Sequence, residues 1–471
     1  MTIRTKYLGW LLLVLLSGSG CKKWLDVNPK TNVTQDKLFN NEQGFKDALV
    51  GVYTQLASRP LYARELTMAF MDVLAQNYSV TSNFHIYNKA SQYNYTDAVT
   101  RLKIDSFWIC GYKAIANINN LLEAIDGKRD IFKGDNYKII KGEALGLRAL
   151  IHFDLLRLFG PVTAAGEGAT AIPYMTQFAM VVEPAKTTGE VLNLCMKDLN
   201  EATDLLSVYK TVVYGVEDPF LSYTRNHFNF WAATGLKARI SLWRGDKTNA
   251  YAYAQELIKA AVFPWVSQSN ISVGVTDASR TFPTEHLFAV YVSNLKDINT
   301  ELFRAAAGTS NVLTNSTTFI NNRFDIASGG TTDYRYAFLW KTDGTSSTKY
   351  PAKYLIDDLQ YAGRGEWRVP VITLSEMYYI AAEAGTNTAE SISLLNEVRA
   401  HRGQSALPNT LTTEQISAEI FKEYKKEFYQ QGQLFFYYKR LNKPNIEGYG
   451  QPVGEAIYVL PRPNDEIEFN N

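Results

Sequence analysis

The residues best suited to chemistry stand together in MDVLAQNYSVTSNFHIYNKASQYNY, from Met71 to Tyr95. Aromatic rings alternate there with Asn, Gln and Ser, and no core periodicity runs through them. Such a stretch suits the holding of sugars: a ring covers the apolar CH face while amides and carboxylates bind the hydroxyls. One ring face is worth about 1 kcal/mol, so several must act together, and affinities of roughly micromolar to millimolar are the natural range. Tyrosine is abundant, 29 beside 24 Phe and 8 Trp, and suits surfaces that hold flat polar ligands. A second set of rings and polar groups, Tyr291, Asn294, Tyr334, Tyr336 and Trp340, lies between Ser272 and Arg368.

Signatures of bond-breaking chemistry are missing. There is no HExxH, GxSxG or Walker loop, and His85, His152, His227, His286 and His401 stand singly. His152 falls inside GEALGLRALIHFDLLRLF, where a packed structural histidine is the expectation. GYGQPVG from Gly448 lacks the strand-then-helix context of a phosphate cradle and reads as a turn. Two carboxylates at suitable separation would make a glycosidase pair. Asp357 and Asp358, however, are adjacent and point apart. Glu376 and Glu383 lie two turns apart on one helix, where pairing with Arg399 or Arg402 is the simpler role. Cys21, Cys110 and Cys195 form no CxxC or Cys/His cluster. No metal and no cofactor is expected, and Cys110 and Cys195 read as small buried apolar residues. A formal charge of +1 on 471 residues argues against a nucleic-acid partner, which needs a basic face.

The elements that must position these rings are mostly helical. With 46% hydrophobic and 20% charged residues the chain has ample side chain for a core. Apolar spacing at Phe45, Leu49, Val52, Tyr53 and Leu56 predicts a helix from about Asn41. Further helices are predicted over Leu66 to Asn77, Ser106 to Ile125, Tyr137 to Phe159, Gly189 to Leu206, Phe228 to Arg244, Thr248 to Ala260, Leu374 to Glu383, Ala389 to Arg402 and Thr413 to Gln430. GLKARISLWRGDKTNAYAYAQELI from Gly235 and SEMYYIAAEAGTNTAESISLLNEVR from Ser375 repeat one unit: small residues at helical spacing, a Gly-containing break, then a second helix. That unit resembles the tetratricopeptide pair. Between the two copies only HLFAVYV, His286 to Val292, alternates like a strand, and the rest reads as a loop-rich cap.

The chain opens on a leader. Arg4 and Lys6 precede an apolar run, Tyr7 to Leu16, of secretory length and too short to span a bilayer. Small residues then lead to Cys21, in a pattern that resembles the lipobox of bacterial lipoproteins, although Gly18 stands where an aliphatic residue is usual. Acylation there would anchor the protein firmly, at about 0.8 kcal/mol per buried CH₂. From Lys22 to about Thr34 the chain reads as a tether.

Taken in order, CKKWLDVNPKT, GEALGLRALIHFDLLRLFGPV, VEPAKTTGEVLNLCMKDLNEATDLL, GLKARISLWRGD, RVPVITLSEMYYIAAEA, LLNEVRAHRG, EFYQQGQLFFYYKRLN and LPRPNDEIEFNN resemble the SusD/RagB family of outer-membrane nutrient-binding lipoproteins over nearly the whole mature chain. The resemblance implies a mostly α fold, with tetratricopeptide-like helix pairs in a right-handed helical scaffold under a loop-rich cap. The divisions are a signal peptide over 1–20, an N-terminal half over 21–226 with the tether and aromatic loop, and a C-terminal half over 227–471 with the cap at 272–368. It implies an outer-membrane lipoprotein facing the cell exterior, though Lys22 and Lys23 stand where exported relatives often carry acids. Its partners would be a SusC-like TonB-dependent transporter and a glycan, or in some branches a peptide or glycopeptide; a surface glycosidase and a purely structural partner are the remaining alternatives. Carried over from glycan-binding relatives, the site residues would be Asp72, Asn77, Tyr78, Phe84, Tyr87, Tyr93 and Tyr95, with the cap set above as a second group. The rings of LFFYYKR are assigned to packing. Mass spectrometry of the membrane fraction should find Cys21 acylated at a new N-terminus, and Cys21→Ala should move the protein to the soluble fraction; an unmodified thiol in soluble protein would overturn the lipid anchor.

Overall fold

A computed structural model describes residues 35–469 apart from 180–181, 214, 273–279, 305–310, 343–348 and 357–366. The leader, Cys21, the tether, Asp357, Asp358 and parts of the cap lie outside the described residues.

Helix α1, Glu42–Leu56, starts where the Asn41 side chain accepts the Gly44 N–H, and it buries Phe45, Leu49, Val52 and Leu56 at the predicted spacing. The second predicted helix is far shorter than Leu66 to Asn77. Only α2, Phe70–Leu74, is helical, because turn hydrogen bonds such as Leu66 N–H to Leu61 O replace the ladder upstream and Gln76 adopts a left-handed conformation downstream. Helix α3, Ala98–Ile125, begins at Asp97, whose carboxylate accepts the N–H groups of Val99 and Thr100. Helix α4, Asn136–Phe159, is buried on almost every face. Helix α5, Thr188–Leu206, carries a capping box of Thr187 and Glu190.

Both quoted repeats are helix pairs. The first is α6, Phe230–Arg244, and α7, Lys247–Ala260, joined through Gly245 in the left-handed region. The second is α10, Leu374–Ala384, and α11, Thr388–Ala400, followed by α12, Thr413–Glu427, and α13, Gln433–Arg440. Successive helices pack side by side from α3 through α7, then α7 on α10, α10 on α11 and α11 on α12. The fold is thus the expected mostly α scaffold of tetratricopeptide-like pairs. Close approach depends on small residues: a Cβ on Gly146 of α4 would lie 2.2 Å from the Phe228 ring. The LFFYYKR rings are buried, as expected.

The described part of the cap has more regular structure than its loop-rich sequence predicts. Strand β1, His286–Tyr291, pairs antiparallel with β4, Arg368–Thr373, and β2, Trp340–Thr342, pairs with β3, Lys349–Pro351. The short helices α8, Leu295–Phe303, and α9, Thr317–Arg323, and a single turn over Tyr334–Phe338 lie between β1 and β2. Strand β4 is buried along its whole length, so it lacks the alternation that reveals a half-exposed strand.

Buried charges root this cap on the scaffold. Arg335 meets Asp333 at 2.9 Å, Glu423 at 2.7 Å and Glu427 at 2.8 Å. Arg402 meets Glu285 at 2.6 Å and Glu427 at 2.7 Å. Lys353 Nζ donates to the carbonyls of Glu427 and Tyr429. Burial alone would raise the Glu423 carboxyl, yet Arg335 and its neighbours hold it down at about 2. The expected partners of Glu376 and Glu383 are corrected here. Glu376 forms a bidentate pair with Arg239 of the facing helix α6, at 2.6 Å, and Glu383 pairs with Arg440 at 2.8 Å. Arg402→Met, which strands Glu285 and leaves Glu427 with Arg335 as its arginine partner, should cost roughly 3–5 kcal/mol in urea denaturation. Loss of the exposed Arg59–Glu301 pair should cost under about 1 kcal/mol, and equal costs would refute this ranking.

Candidate functional site

Most of the loop residues expected to touch a ligand are structural instead. Asp72, Asn77 and Tyr87 are fully buried, and Tyr78, Tyr93 and Tyr95 are nearly so. Asp72 accepts the N–H groups of Gln430 at 2.5 Å and Gly432 at 3.1 Å, clamping the turn between α12 and α13 onto α2. The hydroxyls of Tyr78, Tyr93 and Tyr95 donate to the carbonyls of Met68, Leu74 and Ile457. Tyr87 bonds Glu65. A ring enclosed by protein on both faces offers no platform to a sugar. The alternation read from Met71 to Tyr95 therefore marks an irregular, aromatic-packed turn region whose polar tips satisfy backbone groups. Phe84 is the exception, 89% exposed.

Of the cap set, Tyr291 at the end of β1 is 53% exposed and Asn294 is exposed. Tyr334, Tyr336 and Trp340 are half-buried. The Tyr334 hydroxyl bonds Gln268, Tyr336 bonds Asn321, and the Trp340 ring lies 5.1 Å from that of Tyr429. The loop and cap sets do meet at a seam. Tyr429 sits between Trp340 and Tyr78, Asn315 donates to the Asn77 carbonyl and to the Tyr429 hydroxyl, and Ser79 bridges to Thr314.

A pocket of about 160 Å³ opens along this seam, with α9 on one side and α12, α13 and the Glu447–Gly448 turn on the other. Phe319, Asn322, Arg323, Lys425, Tyr438 and Glu447 supply its ring, amide, cations, hydroxyl and carboxylate. Arg323 reaches across: Nη2 donates to Asn77 Oδ1 at 2.7 Å and Nη1 to the Lys425 carbonyl at 2.5 Å. Its guanidinium lies over the rings of Phe319 and Tyr429 at 4.7 and 5.2 Å. Lys425 pairs with Glu447 at 2.9 Å. None of these six was foreseen. Phe319 and Arg323 sit in a segment with no clear periodicity, and Tyr438 belongs to the run assigned to packing.

A larger groove of about 340 Å³ runs between α3 and the 171–183 segment, over Trp108, Tyr112, Asn119, Pro173 and Met175. Its floor is already satisfied. Tyr112 donates to the Pro173 carbonyl, Asn119 to those of Met175 and Gln177, and Arg148 to Asn119 Oδ1. Beneath it, His152 donates from Nδ1 to the Arg148 carbonyl, accepts the Met175 N–H at Nε2 and stacks on Tyr174; burial holds its pKa down at about 3, so it is a neutral structural residue. Cys195 is buried, Cys110 is half-buried, and both thiols are free. Among the described residues, no helix is long and apolar enough to cross a membrane.

Residues 23–242 match a SusD-like family model described as starch-binding associating with outer membrane, and residues 308–466 match the SusD/RagB model, described as the SusD family. A SusD-like protein of Formosa agariphila is 22% identical over 241 residues, which are 49% of this chain and 42% of that protein; the chain thus aligns with less than half of that relative's length. A SusD superfamily protein from Bacteroides thetaiotaomicron superposes with a TM-score of 0.72 at 22% identity, covering 91% of this chain and 98% of its own. Surface glycan-binding protein A from Bacteroides uniformis superposes at 0.70 with 18% identity, covering 91% and 98%. At these identities the superpositions establish the fold.

The buried Asp72 carboxyl yields a pH test of its structural role. Burial pushes it up to about 6, against the pull of the Gln430 N–H and of Arg323. The folded chain then keeps a proton that the unfolded chain releases near its ordinary 3.8. The resulting stabilisation is full below that value and is lost as pH rises through about 6, roughly 3 kcal/mol in all. Between about pH 3 and pH 7 the stability difference between wild type and Asp72→Asn should therefore move by about 3 kcal/mol toward the variant. Parallel urea-denaturation profiles would show that Asp72 does not titrate in this way.

Proposed function

The chain belongs to the SusD/RagB family, and from that premise we propose that it captures oligosaccharide at the outer membrane and passes it to a SusC-like TonB-dependent transporter, held there by a lipid on Cys21. The observation that carries the reading is the seam pocket, where the cap helix α9 closes over the scaffold and presents a half-buried ring beside an amide and charged groups. Its volume suits about one sugar ring, so it is a subsite, with the remainder of an oligosaccharide lying across the outer surface of the cap. Phe84 of the early loop and Tyr291 of the cap are exposed rings.

Binding without bond cleavage is the chemistry these groups support. Glu376 and Glu383, the two acids that share a helix, are each engaged by an arginine, and neither is free to exchange a proton with a glycosidic oxygen. The pocket walls come from elements fixed by buried ion pairs and by Asp72, so the ligand meets a preformed surface and little ordering cost opposes it. Lipidation would add local concentration: a tethered receptor over a pore raises the encounter rate without any change of intrinsic affinity.

Calorimetry of the purified protein against a panel of oligosaccharides and peptide pools tests this. At least one oligosaccharide should bind in the micromolar to millimolar range, and Phe319→Ala should weaken it about fivefold, the value of one lost ring face, in a variant that circular dichroism shows to be folded. Binding of peptides alone would replace the glycan reading with peptide capture.

A further inference from the structure

We propose that the seam pocket selects saccharides bearing an anionic group, a carboxylate or a sulfate ester, which Arg323 and Lys425 hold; this rests on the glycan-capture reading and adds the class of ligand. Arg323 differs from five other buried arginines. Arg148, Arg157, Arg239, Arg335 and Arg402 each hold a carboxylate. Arg323 is only 7% exposed, yet its two terminal nitrogens meet neutral acceptors, the Asn77 amide oxygen and the Lys425 carbonyl. Its Nε has no hydrogen-bond partner. Among the described residues no carboxylate pairs with it.

The nearest buried acid does not fill the gap. Asp72 has its two oxygens on the backbone N–H groups of Gln430 and Gly432, so it influences Arg323 from a distance without pairing. Burial accordingly pulls the Arg323 guanidinium pKa down, against the partial support of Tyr429 and Asp72. A buried cation short of counter-charge is costly, and an arriving anion relieves that cost. The stacking of Phe319 and Tyr429 on the guanidinium holds its plane in place, which favours a forked, charge-assisted contact.

Lys425 extends the same field. Its side chain is 13% exposed, while that of its partner Glu447 is 63% exposed. An ion pair with so exposed an acid is weak, and Glu447 can turn to solvent when a ligand anion takes its place. Beside the Asn322 amide, Phe319, Leu434 and Tyr438 give the lining an apolar and aromatic face. A sugar ring covers that surface and a bare inorganic anion does not, so the charge and the ring are recognised together.

Titration calorimetry with trigalacturonate, a sulfated trisaccharide, neutral maltotriose and sodium sulfate decides the matter. An acidic trisaccharide should bind at least tenfold tighter than maltotriose, since a charge-assisted hydrogen bond in a buried site is worth about that factor or more. Its affinity should fall between about 20 mM and about 500 mM salt. Arg323→Gln should remove the preference for acidic ligands. Lys425→Gln, at a half-buried side chain, and Glu447→Gln, at an exposed one, should act in opposite senses, the first weakening and the second tightening acidic ligands by about twofold to fivefold, with circular dichroism checking that both variants are folded. Equal binding of maltotriose, with Lys425→Gln and Glu447→Gln both without effect, would overturn the charge preference and leave glycan capture standing. Sodium sulfate binding as tightly as the sulfated trisaccharide would show an adventitious anion site and overturn it too, and failure of every saccharide beside tight binding of a peptide pool would remove both readings.

Discussion

Glu427 is the point on which the architecture turns. Its carboxylate receives Arg335 from the cap and Arg402 from the end of α11, and its carbonyl receives Lys353 from the segment after β3. Two arginines against one carboxylate hold it ionised in an interior where a lone charge would not survive. The turn that follows, Phe428 to Gly432, is thereby fixed from one side, and Asp72 fixes it from the other by accepting two of its N–H groups. The cap, the C-terminal helices and the early aromatic loop thus share one anchor. A nearby hydrophobic contact would tolerate sliding; this set of directional pairs does not.

The seam pocket is a consequence of that arrangement. Asn77 follows Asp72 on the same turn and receives Arg323, while Lys425 precedes Glu427 on α12 and offers Arg323 its carbonyl. Both contacts of the guanidinium are thus set within a few residues of the anchored turn. Pre-organisation in a ligand site requires side chains whose own positions are over-determined, and Arg323 meets that description.

Binding chemistry and core chemistry use the same residue types here, and exposure separates them. The chain has 29 tyrosines, and those nominated in the early loop close hydrogen bonds to backbone carbonyls beneath the surface. Such tyrosines rigidify an irregular segment that has no ladder of its own. The polar tip satisfies the backbone while the ring fills volume. Fold similarity to proteins with glycan-binding descriptions does not tell which rings meet ligand, because ligand contacts are properties of a surface that 18–22% identity leaves free to vary.

By itself the sequence determined the scaffold. Periodicity, capping residues and glycine breaks act over one or two turns, so α1, α6, α7, α10 and α11 were legible from local spacing, and the absence of clustered histidines, cysteines or nucleophile motifs directed attention to binding. Only the tertiary structure decided the site. Asp72, Asn77 and Tyr78 look alike in sequence whether they face solvent or protein, since burial is set by what packs over them from more than two hundred residues away, as Asn315, Arg323, Tyr429 and Gln430 do. The same long-range closure hid β4, which is covered on both faces, and paired Glu376 and Glu383 with Arg239 and Arg440 in place of arginines nearer in the chain. It also brought Phe319 and Arg323 against Lys425 and Glu447, more than one hundred residues further on.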